Sequence, residues 1–411
     1  MTSLKKNIIL LALVQLSNYL FPLLSFPYLS RVLGPEGFGQ VALAQSIIMY
    51  FTLFIDFGFN LSATRRISLA SIDNSKNVIS EIYSSVTFSK LLLFFLSCIL
   101  CYLLTTFWEQ FGRVQGLVFI GFISLLGSVA FPLWLFQGIQ KMAGVITATS
   151  IAKLISLAFI FLIVKTKDDV AEAMFSLSLG MFLSGLISIF YVRVKRIAVF
   201  YIPRKEKIVF YLKDSFPLFL SFFFSSIYTT MNTLILGVFS TMYSIGVYSA
   251  AEKIKSVSQS AISPIQQSVY PRLSSQVNNK KEYIKKLKYY GFLFFFVGIC
   301  ISIFLAFLSK PIIHFLLGGK FDGSYSVLLW MSPLPAIITL AIIFGQWGLV
   351  NIGKSKTLSK IYMFGGITHL THIFFMIKLF GIYGAVISSL ITESILTLLM
   401  IYFFIKEVRK I

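Results

Sequence analysis

The sequence predicts an all-α integral membrane protein: twelve transmembrane helices in two six-helix lobes related by a parallel repeat, with both termini cytoplasmic. Three observations carry this. Of 411 residues, 57% are hydrophobic and only 12% are charged, whereas a soluble domain carries about 25% charged residues. The apolar residues gather into runs long enough to cross a bilayer. The charge that remains is strongly positive, with 36 Lys and Arg against 15 Asp and Glu and a net charge of +21, and it concentrates between the runs on one side. Together these exclude a soluble enzyme domain, a disordered tail and a secreted disulfide scaffold. Nucleic acid is not an expected partner either, because the cations form no single patch and no nucleic-acid motif accompanies them.

A hydrocarbon core about 30 Å thick needs roughly 20 helical residues. In chain order, the runs that meet this length are 8–29, 40–61, 83–104, 116–136, 145–164, 173–192, 216–238, 246–269, 288–308, 327–350, 358–378 and 381–404. The first follows a basic start, as a signal peptide would. It continues to Tyr28 without a small-residue cleavage site, so it reads as a retained helix. Lipid offers no hydrogen-bond partners to a backbone, so each run is expected to be helical. The connections are too short to hold a soluble domain.

Orientation follows from the cations. With a cytoplasmic N-terminus, only Arg31, Arg113, Lys165, Lys167, Lys310, Lys320 and Lys378 fall on the opposite side. Lys90, Lys153, Lys253 and Lys255 fall within spans, and all the others are cytoplasmic. That asymmetry is a positive-inside signal. Lys90 lies near a cytoplasmic helix end, where a lysine can snorkel to the interface.

A weak duplication divides the chain. Gly39-Gln-Val-Ala-Leu-Ala-Gln-Ser-Ile47 aligns with Gly246-Val-Tyr-Ser-Ala-Ala-Glu-Lys-Ile254, and Leu33-Gly34 with Leu236-Gly237. The second span then corresponds to the eighth. Six spans separate the copies, which keeps their orientation the same and makes the repeat parallel. The expected division is residues 1–192 and 216–411 as lobes, with 193–215 as a basic cytoplasmic linker.

Polar residues within the spans form stripes at helical spacing. The eighth span carries Glu252, Lys255, Gln259, Ser263 and Gln266; the second carries Gln45, Thr52, Asp56 and Asn60. The seventh offers Ser221, Tyr228 and Asn232, and the first Gln15 and Asn18. The simplest arrangement turns all four wet faces to a central cavity between the halves. Small polar residues can equally act as glue between helices. That reading does not cover Asp56, Glu252, Lys253 and Lys255, because a charge at depth costs roughly 2.5–3.5 kcal/mol even on insertion scales.

His369 and His372 lie one turn apart, and Glu393 is in the last span. With Asp56 and Glu252 they are candidates for ion coupling, since histidine titrates near pH 6.5. Two ligands without a third do not make a metal site, and no metal or cofactor is expected. Cys98, Cys101 and Cys300 sit in apolar runs and read as small hydrophobes. There is no nucleotide-binding loop, nucleophile elbow or zinc-protease motif, so no catalytic residue is assigned.

Several stretches resemble the Wzx-type polysaccharide flippases. They are Tyr28-Leu-Ser-Arg31-Val-Leu-Gly34-Pro-Glu-Gly-Phe-Gly39, Asp56-Phe-Gly58-Phe-Asn60-Leu-Ser-Ala-Thr-Arg65, Gly246 to Ile254, Tyr270-Pro-Arg272 and Gly381-Ile-Tyr-Gly384-Ala385. They run from the first span to the last. The resemblance implies the multidrug/oligosaccharidyl-lipid/polysaccharide exporter fold with its V-shaped cavity. It also implies translocation of an undecaprenyl-diphosphate-linked oligosaccharide (for O-antigen or capsule) across a bacterial plasma (inner) membrane by alternating access, with proton or sodium coupling proposed for the family. Membrane lipids, a polysaccharide polymerase and a chain-length regulator are the implied partners. A diphosphate needs cations, for which Arg31, Arg65, Lys153, Lys253 and Lys255 are the candidates; a glycan needs the neutral polar stripes. Three other readings stay open: a drug or cation antiporter of the same fold, which would favour carboxylates in its cavity; a membrane-embedded polymerase or acyltransferase, for which the outer loops are short; and a lipid II flippase, whose relatives typically carry two further helices.

Overall fold

The computed structural model describes the backbone of residues 2–73, 75–277 and 279–410, and the side chains of these except 2–20, 22, 142–148 and 410. Helix accounts for 88% of it, and there is no strand among the described residues.

The chain opens with α1 (Thr2–Asp56), 55 residues long. A straight helix of that length would extend about 80 Å, far more than a hydrocarbon core of about 30 Å. Gly34 breaks it, with φ 68 and ψ 179. No atom lies within 4 Å of where a Gly34 Cβ would stand, so glycine is required there for its backbone freedom and not for space. A second break follows at Asp56-Phe57-Gly58, where Phe57 and Gly58 both have positive φ. Here space matters too: a Cβ on Gly58 would stand 2.8 Å from Leu218 Cβ and 3.0 Å from the Ser215 carbonyl oxygen.

That close approach begins a seam between α2 (Phe59–Ile72) and the start of α7 (Lys205–Thr230). Phe57 stacks on Phe219 with ring centroids 4.6 Å apart. One turn after Gly58, the Ser62 and Ser215 hydroxyls meet at 2.6 Å. One turn further, Arg66 Nε donates to Asp214 at 2.8 Å with its guanidinium over the Phe210 ring. Positions 58, 62 and 66 share a face because helical neighbours recur every 3.6 residues.

Between these elements lie α3 (Lys76–Phe107), α4 (Gln115–Ala130), α5 (Met142–Ile163) and α6 (Val170–Val194). The α4–α6 crossing is tight because both helices present glycine: a Cβ on Gly185 would stand 2.6 Å from the Gly127 carbonyl oxygen.

The chain divides into two compact units, Met1–Phe223 and Phe224–Ile411, and the division falls inside α7. The second unit contains α8 (Asn232–Phe239), α9 (Met242–Ser260), α10 (Ser263–Ser274), α11 (Lys280–Leu317), α12 (Gly323–Met331), α13 (Leu334–Ala341), α14 (Ser355–Phe380) and α15 (Ile382–Lys410). A π-helical stretch, Ile342–Val350, continues α13. Its Trp347 carbonyl accepts a hydrogen bond from Tyr283 Oη at 2.5 Å. Trp347 is buried in a core with Phe294, Leu396, Met400 and Phe404.

Among the described residues, nine helical stretches are long and apolar enough to cross a membrane. Set against the twelve expected runs, the end of the first and the whole of the second fall in one stretch, Leu23–Ile72, that the Gly34 break interrupts. The described apolar part of the fifth, Thr149–Ile163, is short, and the eighth is divided between α9, which holds Glu252, Lys253 and Lys255, and α10. The cysteines are free; Cys101 is buried as expected of a small hydrophobe, whereas Cys300 is exposed.

Candidate functional site

Among the described residues, the first unit holds a charged cluster enclosed by helices. Asp56 is the last residue of α1, placed by the Phe57–Gly58 break. Its Oδ1 lies 2.8 Å from Lys90 Nζ on α3. Lys90 also donates to the Ser128 carbonyl of α4 at 2.6 Å. Ser128 Oγ donates to the same carboxylate at 3.3 Å, and Asn60 Nδ2 to its Oδ2 at 3.5 Å. The Lys90 side chain is 2% exposed and that of Asp56 29%. Snorkelling, the reading its position near a helix end allowed, is therefore overturned for Lys90: its ammonium is satisfied inside the helix packing by a carboxylate and a carbonyl, so it gains nothing by reaching water.

The second unit carries a larger network. Asn232 of α8 donates to Ser389 Oγ at 2.7 Å and to Tyr248 Oη at 3.0 Å. Its Oδ1 lies 3.0 Å from His369 Nε2, which is thereby the donor. His369 Nδ1 lies 2.8 Å from Thr392 Oγ1, and that hydroxyl also reaches the Ser388 carbonyl at 2.9 Å. In the neutral ring Nδ1 accepts from Thr392. In the charged ring it donates to Thr392, whose proton then goes to Ser388. Turning one hydroxyl accommodates either form. His372 packs edge-on to His369 with ring centroids 5.5 Å apart, and its Nδ1 donates to the Thr368 carbonyl at 2.7 Å.

A charged group adjoins this network. Thr233 Oγ1 donates to Glu252 Oε2 at 3.3 Å, and Glu252 also feels Tyr248. Lys255, one turn along α9, interacts electrostatically with both Glu252 and Glu393 of α15. Glu393 in turn interacts electrostatically with Tyr228 and Tyr362, whose rings are stacked 6.3 Å apart. The fold thus brings Glu252, Lys255, Glu393, Asn232 and His369, drawn from four separate stretches of sequence, into one polar system in the second unit. Among the described residues, no three His, Cys, Asp or Glu side chains gather around a point that could hold a metal.

Two members of this system are closed to water, and the candidates outside it are dispersed. Asn232 is 2% exposed and belongs to packed helix contacts, not to an open lining. Tyr228 is also buried, with its hydroxyl 3.4 Å from Ser225. Ser221 and Thr52 donate to carbonyls one turn back in their own helices. Gln266 bonds Gln346 of the π-helical stretch, whereas the Gln259 amide nitrogen is buried without a partner. Ser263 begins α10. Gln45, Arg31, Arg65 and Lys253 are exposed, and Lys153 on α5 is half-buried. Gln15 and Asn18 lie outside the residues whose side chains are described. Residues that sequence reasoning missed are Thr233, Tyr248, Tyr362, Ser389 and Thr392. Tyr248 stands one turn before Glu252, so extending the α9 stripe backwards would have found it; the other four carry no charge and no local signal.

An all-helical chain with many apolar crossings and charged groups satisfied within them is a multi-pass membrane protein, and its fold is that of the multidrug/oligosaccharidyl-lipid/polysaccharide exporters. A multidrug resistance MATE family transporter of that superfamily in its inward-facing conformation superposes with a TM-score of 0.77 at 14% identity, covering 98% of each chain. The lipid II flippase MurJ in an inward closed conformation gives 0.77 at 17% identity, over 95% of this chain and 87% of MurJ. The chain belongs to the polysaccharide biosynthesis protein family, which matches residues 4–277. Two curated relatives, each named "Putative O-antigen transporter", span nearly all of it. That of Shigella dysenteriae is 38% identical over 97% of this chain and 99% of its own length. That of Escherichia coli K12 is 33% identical over 98% and 96%.

Proposed function

We propose that this chain is a flippase that carries a lipid-linked oligosaccharide repeat unit of an O-antigen from the cytoplasmic to the outer leaflet of the bacterial inner membrane. The observation that carries the reading is end-to-end similarity to two proteins named as O-antigen transporters, at 38% and 33% identity. The lipid is an undecaprenyl diphosphate, the chain crosses the membrane twelve times with both termini inside, and polymerase and chain-length regulator act downstream. Gly34 supports the count, since it supplies the break that two crossings within α1 require.

The polar system of the second unit supports a coupling mechanism. Lys255 interacts electrostatically with two carboxylates, Glu252 and Glu393. An arriving diphosphate competes with them for its ammonium. A proton taken up by either carboxylate weakens its hold on Lys255 and strengthens the cation's attraction for phosphate. Proton and substrate affinities are then linked, as alternating access driven by a gradient requires. Lys153, Lys253, Arg31 and Arg65 are further cations for the diphosphate.

In a strain lacking this chain and any second flippase, surface O-antigen should disappear and lipid-linked units should accumulate on the cytoplasmic face. Normal surface polysaccharide in that strain would refute the reading. Lys255→Ala, at normal protein level, should lower translocation about tenfold or more, the effect of losing one charge-assisted hydrogen bond of about 1.5–3 kcal/mol. Full activity of Lys255→Ala combined with Lys253→Ala would remove these lysines from the diphosphate's path.

A further inference from the structure

The first unit contains a cavity that the flippase reading leaves without a use. It has a volume of about 730 Å³ and lies between the N-terminal part of α3, the C-terminal end of α6 and the stretch that follows α6. Its walls are built by the chain reversal after α6. Arg196 takes a left-handed conformation, φ 49, and turns the chain back. The next residues then run along α3 and are pinned by two serines one turn apart. Ser80 Oγ accepts from the Val199 amide at 3.1 Å. Ser84 Oγ donates to the Val199 carbonyl at 3.2 Å and accepts from the Tyr201 amide at 3.1 Å. Phe200 sets its ring edge-on to Tyr83. The wall is therefore preformed and does not need a ligand to order it.

The lining has two characters. Arg193, in the last turn of α6, and Arg196 are the cationic residues of the lining, and Tyr83 and Thr87 of α3 are its hydroxyl-bearing ones. The rest is apolar, Val192 and Phe200 included. No ion pair among the described residues engages either arginine, whereas Arg66, Lys90, Lys207 and Lys354 each have a carboxylate. Two arginines that can present planar forks to one anion suit a phosphate. Inorganic phosphate would leave the apolar walls unfilled, and an acyl chain alone would leave both charges unanswered. A molecule carrying both parts uses the whole cavity, and several hundred cubic ångströms is the size range of small-ligand sites.

The geometry points to a binding site for an anionic glycerophospholipid, its phosphate between Arg193 and Arg196 and its glycerol and upper acyl carbons against the Val192–Phe200 wall. The positive-inside orientation puts this cavity at the cytoplasmic leaflet, and basic pockets between helices on that side hold anionic headgroups. The lipid would fasten α3, α6 and the pinned stretch together. This inference rests on that orientation and not on the glycan reading.

The test is native mass spectrometry of the purified full-length chain titrated with phosphatidylglycerol or phosphatidylcholine. One phosphatidylglycerol adduct is expected that phosphatidylcholine does not replace. Arg193→Ala with Arg196→Ala should weaken it about tenfold or more. Ala198→Trp, which fills the cavity from its wall and leaves both cations in place, should abolish it and guards against a folding defect in the double variant. Lys280→Ala with Lys281→Ala, an equal loss of charge elsewhere, should leave it unchanged. An adduct that survives both cavity changes overturns the proposal, as does equal binding of phosphatidylcholine. Displacement by inorganic phosphate at similar concentration would make it a free-phosphate site, and preferential displacement by a polyprenyl diphosphate would make it part of the transport path; either result also overturns the assignment. Binding is read on purified protein, so it stands or falls separately from O-antigen display.

Discussion

Asp56→Ala and Lys90→Met remove opposite partners of the same buried ion pair, and they should not cost the same. Breaking a buried pair destabilises by about 3–5 kcal/mol because the surviving charge is left uncompensated. In Asp56→Ala the survivor is Lys90, whose side chain is 2% exposed and which keeps only the Ser128 carbonyl. The full penalty of about 3–5 kcal/mol applies. In Lys90→Met the survivor is Asp56, 29% exposed and still bonded by Ser128 and Asn60. Water screens part of its charge, so about 1–2 kcal/mol is expected. Domains of this size lose about 2–4 °C of Tm per kcal/mol. Thermal unfolding of detergent-purified protein should therefore drop by roughly 10 °C for Asp56→Ala and by roughly 5 °C or less for Lys90→Met. The double variant should lie closer to wild type than the sum of the two, because no unpaired charge remains. Equal losses for the two single variants, or strict additivity in the double, would refute the view that Lys90 is held at depth by Asp56.

Other outcomes follow from the same geometry. Gly58→Ala should cost about 2–5 kcal/mol, combining left-handed strain with the clash against Leu218, whereas Gly34→Ala, with open space around it, should cost about 1–3 kcal/mol from strain alone; a larger Tm loss for Gly34→Ala than for Gly58→Ala would contradict this. His369→Leu should destabilise the second unit by about 1–3 kcal/mol, since Asn232 Oδ1 loses its donor in a buried site, and His369→Gln should recover part of the loss in the same thermal assay. Asp169 accepts from the Lys165 and Thr166 backbone amides at 2.7 and 2.8 Å, and these bonds hold its carboxyl below the ordinary value. A depressed carboxylate contributes stability above its unfolded pKa and loses it as pH falls through the folded one. The difference in thermal stability between wild type and Asp169→Ala should accordingly be present at pH 7 and shrink as pH falls below about 4; a gap that widens on acidification would exclude this.

The second unit illustrates what was hard to read. Glu252 and Lys255 stood out because charges are rare within apolar runs, and their spacing alone placed them on one helical face. Glu393 and His369 stood out for the same reason but seemed unrelated to them, since more than a hundred residues separate them from α9. Their neighbours Ser389, Thr392 and Tyr362 are of types that serve equally as helix glue, so nothing local distinguished them. Asn232 showed the opposite error: its position on a polar stripe suggested an open face, yet it is buried among three hydrogen-bonding side chains. For Asn232, the stripe specified a face of a helix and not whether water or another helix covers it.

The membrane class, the helical fold and the positive-inside asymmetry were determined by the sequence alone, because lipid imposes constraints that act residue by residue along the chain: apolar length, internal hydrogen bonding and the placement of cations. The Asp56-Phe57-Gly58 break belongs to both levels. Its motif was legible, but its purpose, setting Asp56 against Lys90 and letting α2 lie directly on α7, depended on contacts across more than thirty and more than a hundred and fifty residues. Which polar groups pair, which cations remain open in a cavity and which helices touch through glycine were decided only by tertiary structure. Those outcomes depend on which faces meet, and hydropathy, which drives every span into the same lipid, is blind to that choice.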